Sequence, residues 1–228
     1  MTTPGEEPQA VQSDTEVPRR GLVLILSSPS GAGKTTLTRR LMADRDLALT
    51  VSVSVTTRAR RSSEIDSQDY RFIAVDEFLT MRDHGDLLEW AEVHGNYYGT
   101  PRRLVERTLG AGSDMIFDIN YQGTRQVKEK LGEDIVTVFI LPPSLAELKN
   151  RLKRRAEDAD EVIARRLAAA RVEIDRWSEY DYVIVNDDLE DSFNSLRAIL
   201  TAERRRRARQ TGLPDFVAGL LREEPATR

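Results

Sequence analysis

Cysteine is absent from the 228 residues, and histidine occurs twice, as His84 and His94. Disulfides, thiolate zinc sites and cysteine nucleophiles are thereby excluded. Long apolar runs are missing as well: the longest near the start, Leu22 to Leu26, is too short for a membrane span or a signal-peptide core. Nor is there an excess of positive charge. Lys and Arg number 34 against 38 Asp and Glu, a formal net charge of −4, so the broad positive field of a nucleic-acid binder is lacking and any anion site must be local. The expectation is a cytoplasmic chain with neither a membrane nor a nucleic-acid partner. Oligomeric state has no signature in the sequence.

What is present is enough for one core and a small insertion, since 39% of the residues are hydrophobic. Residues 1–20 mix Pro, Gly, Gln, Ser, Thr and four acids with few large apolar groups and read as a disordered tail. From Gly21 short β-rich runs alternate with helical ones, the pattern of an α/β fold with a parallel sheet and helices on both faces. Strands are expected at Leu22–Ser27, Leu49–Val55, Met115–Ile119, Ile135–Leu141 and Tyr182–Val185. Leu37 and Leu41 sit one helical turn apart, and Ile163, Leu167, Ala170 and Ile174 form one apolar stripe of core-packing type. Residues 54–103 break the alternation, with one helix expected near Val75–His84, and read as an inserted substrate subdomain. The core is then 21–53 and 104–208, followed by an extension at 209–228. Arg151 to Asp160 reads as an irregular, charged piece, either a mobile lid or a solvated helix face, within a lid region of about 145–165.

Ser28-Pro29-Ser30-Gly31-Ala32-Gly33-Lys34-Thr35 comes directly after the first strand and opens a helical pattern. It matches the phosphate-loop pattern GxxxxGK[ST] except at its first position, where Ser28 stands for glycine. Gly31 and Gly33 let backbone N–H groups turn toward phosphate oxygens, the helix N-terminus adds positive potential, Lys34 reaches the terminal phosphates, and Thr35 is placed to assist Mg²⁺. Together with Thr36 these residues are the candidate ATP site.

Downstream come Ser52-Val53-Ser54-Val55-Thr56-Thr57-Arg58, then Arg61, Glu64, Asp69-Tyr70-Arg71-Phe72, Leu88-Glu89-Trp90-Ala91-Glu92 and Gly95-Asn96-Tyr97-Tyr98-Gly99-Thr100. Further on stand Asp118-Ile119-Asn120-Tyr121-Gln122-Gly123, Ile140-Leu141-Pro142-Pro143-Ser144 and Val185-Asn186-Asp187-Asp188. In this order the blocks strongly resemble guanylate kinase, a nucleoside monophosphate kinase of the P-loop class, over roughly residues 21–208. The resemblance implies transfer of the γ-phosphoryl group of Mg·ATP to GMP or dGMP, with 54–103 as the GMP-binding subdomain. It implies that Arg58, Arg61, Tyr70 and Tyr98 grip the GMP phosphate, with Glu64 in the same block. Ser54, Glu89 and Thr100 would read the guanine edge, where a carboxylate can accept from two adjacent donors. Asp118 and Asn120 complete that set, with Asp118 near Mg²⁺ through water. Asn186 and Asp187 fall near the ATP base, and a strand-end turn explains them equally well. No general base is assigned, because the GMP phosphate is already an anionic nucleophile. Lys34 and Arg58, with Arg151, Arg155 and Arg166 of the lid region, are the candidate catalytic cations; the three lid arginines read equally as helix-surface groups.

Departures from the family pattern carry their own expectations. Asn120 stands where the family usually has Asp, which predicts weakened turnover, since an amide brings no charge toward hydrated Mg²⁺. Arg60, Ser62, Ser63 and Ser67 replace proline or glycine in one loop, and Arg154 and Ala156 replace lid glycines. Other readings are a different P-loop phosphotransferase, disfavoured by Glu89 and the Gly-Asn-Tyr-Tyr-Gly block, and a non-catalytic guanylate-kinase-like interaction module, disfavoured by Lys34 and Thr35. The run Arg204–Arg207 with Arg209 is better explained as a solvated helix face, with Leu196, Ile199 and Leu200 inward, than as a nucleic-acid patch.

Overall fold

Five consecutive apolar residues, Leu22 to Leu26, demand partners on both faces of a strand. The computed structural model, which describes residues 17–117, 119, 121–155 and 160–223, supplies them. Its strands are β1 (Val23–Ser27), β2 (Thr50–Val51), β3 (Val55–Thr56), β4 (Arg71–Phe72), β5 (Leu87–Val93), β6 (Asn96–Pro101), β7 (Met115–Phe117), β8 (Ile135–Leu141) and β9 (Tyr182–Val185). Its helices are α1 (Lys34–Ala43), α2 (Val75–Asp83), α3 (Arg102–Gly110), α4 (Tyr121–Leu131), α5 (Leu145–Arg155), α6 (Asp160–Ile174), α7 (Leu189–Arg204) and α8 (Leu213–Leu220). Among the described residues no helix is long and apolar enough to cross a membrane.

The main sheet is parallel, in the order β2-β7-β1-β8-β9. On one face Leu22, Leu24 and Leu26 pack with Leu37 and Leu41 of α1 and with Leu196 and Leu200 of α7. On the other, Val23 and Ile25 pack with Val105 and Leu109 of α3 and Val127 of α4. Because β1 has β7 on one side and β8 on the other, the chain leaves its C-terminal end where the strand order reverses, the crevice in which open α/β sheets bind ligands.

A second sheet, β4-β3-β6-β5, carries the inserted segment. Its own apolar cluster joins Val55, Phe78 and Leu87 to Ile73, Met81, Trp90 and Tyr97. β5 and β6 form a hairpin whose two-residue loop, His94 and Gly95, has φ of 51° and 74°, the primed-turn geometry that matches strand twist. Two expectations are corrected here. The strand read over Leu49–Val55 is two strands in two different sheets, β2 and β3, parted at Ser52–Ser54. The piece read as irregular from Arg151 is the last turn of α5 as far as Arg155, and Asp160 opens α6. Leu148 and Leu152 explain this, because they bury fully against Ala170 of α6.

The two flanks of the core meet below the N-terminal end of the sheet. The Arg20 N–H donates to the Arg209 carbonyl at 2.7 Å and the Gly212 N–H to the Pro18 carbonyl at 2.8 Å. Arg19 makes a bidentate pair with buried Asp114, at 2.7 and 2.9 Å, and Arg204 donates to the same carboxylate at 2.6 Å and to the Leu47 carbonyl. Residues 17–20, read with the tail, are therefore tied to the core; 1–16 lie outside the described residues. The basic run is likewise not a uniformly solvated face. Arg209 is only 4% exposed and donates to buried Glu203, which also accepts from the Tyr182 hydroxyl at 2.7 Å.

Candidate active site

The phosphate-loop candidates stand at the C-terminal end of β1, where the strand order places the crevice. Gly31 and Gly33 have φ of +93° and +107°, a region that side chains disfavour, and the chain turns there into α1. A Cβ on Gly33 would lie 2.2 Å from the Asn186 Nδ2. That amide donates to the Ala32 carbonyl at 2.7 Å, and its Oδ1 accepts from the Ser192 hydroxyl at 3.0 Å. Asn186, 4% exposed, is thus a strut that fixes the loop from 154 residues away. Asp187 beside it is exposed.

Two cavities flank the loop. One, of about 280 Å³, is lined by Gly31, Gly33, Thr36, Arg151, Asn186 and Asp187. Arg151 is held there by Glu147 at 2.9 Å and by the Asn186 carbonyl at 3.1 Å. The other, of about 330 Å³, brings together Lys34, Ser28, Ile119, Tyr121, Glu173 and Arg176. Arg176 lies over the Tyr121 ring at 4.2 Å. Burial raises the Glu173 carboxyl above the usual range, against the pull of the Ser30 N–H and the Lys34 charge. Thr35 is exposed in the first turn of α1. Arg166, on α6, is exposed.

The second sheet assembles the other candidates. β3 leads into Arg58, whose guanidinium clasps Glu64 with two hydrogen bonds, at 2.7 and 3.1 Å, and donates to the Tyr98 hydroxyl oxygen at 3.2 Å. The same guanidinium lies 5.6 Å from the Tyr70 ring centre, and Tyr70 meets Tyr98 edge-on. Glu64 also accepts the Arg61 N–H at 2.8 Å. The Arg58 guanidinium, then that N–H, hold the Glu64 carboxyl below the usual carboxylate range, and Glu64 in turn raises Arg58. Arg58, Glu64, Tyr70 and Tyr98 are one cluster; the Arg61 side chain is exposed beside it.

Glu89 sits apart from that cluster. β5 carries one extra residue against β6 between Leu87 and Trp90, and this bulge turns Glu89 toward Thr100, whose hydroxyl donates to Oε1 at 2.7 Å. Glu89 is 7% exposed, and burial raises its carboxyl above the usual range, opposed by Thr100 and by the charge of Lys130. Ser54 lies just before β3, with its carbonyl accepting the Arg71 N–H. The two halves of the site touch at α4: a Cβ on Gly123 would lie 3.1 Å from Glu89 Oε2 and 3.4 Å from Ile119, and Ile119 lines the Lys34 cavity. Asp118 and Asn120 lie outside the described residues, as does Ala156, and the Arg155 side chain is likewise not described.

Comparison with known proteins decides what this arrangement is. The family model for guanylate kinase matches residues 20–203. The chain belongs to the guanylate kinase family. It is 58% identical to the guanylate kinase of Rhizobium meliloti (strain 1021) over 95% of this chain and 98% of that one. It is 56% identical to that of Chelativorans sp. (strain BNC1), over 95% and 99%. The crystal structure of guanylate kinase from Anaplasma phagocytophilum superposes with a TM-score of 0.69 at 36% identity, covering 92% of this chain and all of that one. No support for a non-catalytic module comes from these relatives.

Sequence reasoning missed several groups at this candidate site. Glu173, Arg176 and Tyr180 share the Lys34 cavity, yet no local pattern marks them, because the end of α6 and the turn after it bring them in from far along the chain. Tyr121 and Gly123 were within reach, since both belong to the block that runs from Asp118 to Gly123, but nothing in that block names their neighbours.

Proposed function

We propose that the chain transfers the γ-phosphoryl group of ATP to GMP, or dGMP, giving ADP and GDP. The observation that carries this reading is the buried Glu89 carboxylate, which neighbours Gly123, itself beside the Ile119 that lines the Lys34 cavity. A carboxylate there accepts from guanine N1–H and from its exocyclic amino group; adenine offers no such pair, and an unmatched base would leave the buried carboxylate with Thr100 as its donor and the guanine-facing positions unfilled. Ser54 and Thr100 complete the guanine edge. Arg58, Arg61, Tyr70 and Tyr98 take the GMP phosphate, the planar guanidinium forks suiting two oxygens at once. Glu64 acts on that phosphate by holding Arg58 in place.

On the donor side, residues 28–36 cradle the ATP phosphates with backbone N–H groups and Lys34, and the cavity beside Asn186 and Asp187 takes the nucleoside. Arg151, already beside the loop, with Arg155 and Arg166, stabilises charge on the migrating group. Thr35 presents an exposed hydroxyl oxygen, a hard donor that suits Mg²⁺, which keeps several waters and takes its other ligands from phosphates. Thr35 would hold the ion, with Asp118 acting through water; when bound, Mg²⁺ neutralises phosphate charge. Free nucleotides as substrates make the cytoplasm the expected compartment.

The test is ADP release from Mg·ATP with GMP, dGMP, AMP, UMP or CMP, against a no-acceptor control. Release with GMP and dGMP alone is expected. Preference for AMP or UMP overturns the Glu89 assignment, and failure of every acceptor to raise release above the control overturns the kinase reading.

A further inference from the structure

β5, which carries the bulge that aims Glu89, is the outer strand of its sheet, so backbone groups beside the bulge face away from β6. Those groups meet one face of α4. The Gln126 side-chain amide makes a reciprocal pair with Trp90, its oxygen accepting the Trp90 N–H at 3.0 Å and its nitrogen donating to the Trp90 carbonyl at 3.1 Å. One turn on, Lys130 Nζ donates to the Leu87 carbonyl at 2.9 Å. One turn back, Gly123 leaves the space that Glu89 Oε2 occupies. Positions 123, 126 and 130 have the i, i+3, i+7 spacing of a single helix face. The residue that reads the base is therefore flanked at Leu87 and Trp90 by backbone fixed from the main sheet's own helix as well as by its hairpin partner.

We infer that Gln126 is a positioning residue for base selection: it locks the β5 bulge to α4 and so sets where the Glu89 carboxylate meets the purine. The inference rests on the reading of Glu89 as the guanine reader. Gln126 touches no substrate; its effect is on the placement of a carboxylate that must meet two donors at once. A displaced carboxylate keeps one of the two, so the loss falls on the substrate that offers both. GMP offers N1–H and the 2-amino group, whereas IMP offers N1–H alone.

The experiment compares the parent chain with Gln126→Met, which fills the volume without either hydrogen bond, and Gln126→Glu, which keeps the acceptor for Trp90 N–H. For each, KM and kcat are measured with GMP and with IMP at saturating Mg·ATP, together with KM for ATP and Tm. For Gln126→Met the expected result is a rise of about ten-fold in KM for GMP and a fall of about ten-fold in the GMP-to-IMP ratio of kcat/KM, the scale of one net hydrogen bond. KM for ATP stays put. Gln126→Glu falls between the two and carries the test if the methionine variant does not fold. An unchanged ratio, with GMP and IMP losing equally or not at all, overturns the inference. A parent chain that does not prefer GMP to IMP overturns the guanine reading beneath it, a failure visible before any variant is compared.

Discussion

Replacing Glu89 by glutamine keeps the shape of the side chain and removes its charge, and the hydrogen bond from Thr100 fixes how the new amide must sit. Thr100 donates to Oε1, so in Glu89→Gln the remaining oxygen is claimed by that hydroxyl and the new amide N–H₂ group faces the guanine donors. Two hydrogen bonds to a charged acceptor are lost and a donor meets donors. With each such bond worth about 1.5–3 kcal/mol and partial relaxation allowed, the loss is about 3 kcal/mol, or ~10²-fold in kcat/KM for GMP. AMP, which never used the carboxylate, is expected to change little. The pH dependence gives a second reading of the same group. Burial raises the Glu89 carboxyl, so kcat/KM for GMP in the parent falls on the acid side at a pH above the ordinary carboxylate range, and the Glu89→Gln profile lacks that limb. The sign for folding is opposite. A raised folded pKa makes the ionised form destabilising, a cost present above the folded pKa and gone below the unfolded value of about 4.3. Glu89→Gln should therefore melt higher than the parent at neutral pH while losing activity. Steady-state kinetics with GMP and AMP across pH, with thermal melts in the same buffers, would refute the reasoning if the variant kept its preference for GMP.

Three further outcomes are expected. Asn186→Ala removes the amide that supports the Ala32 carbonyl and accepts from Ser192, so it should lower stability by about 2 kcal/mol in urea unfolding and raise KM for ATP more than KM for GMP. Ser67 stands where the family commonly has proline or glycine and has φ of 63°, so Ser67→Gly should raise stability by about 1 kcal/mol, and an unchanged or lower Tm would count against strain there. Asn120→Asp should raise kcat at saturating Mg·ATP with little change in Tm; turnover that does not increase would show that the amide is no handicap.

The legible parts of the fold were those whose signal is local. The phosphate loop announces itself because glycines, lysine and hydroxyl must succeed one another between a strand and a helix, and the main strands show as apolar runs because both faces are covered. The second sheet was hidden: β3 and β4 are two residues each, below the length at which alternation can be read, and the bulge in β5 interrupts its period. The lid region misled because Arg151 to Arg155 look like loop material until Leu148 and Leu152 are seen to hold that helix against α6. Long-range supports had no signature at all. Asn186 under Ala32, Gln126 against Trp90 and Glu173 beside Lys34 are single polar residues whose neighbours only the fold defines.

The meeting of Pro18–Arg20 with Arg209–Gly212 decides how the molecule bears load. Both flanks lie at the N-terminal end of the sheet, opposite the phosphate loop, and the first is tied to the second before the chain enters β1. Tension applied through the two ends is borne by that clasp and by the Arg19–Asp114–Arg204 pairing, not by β1.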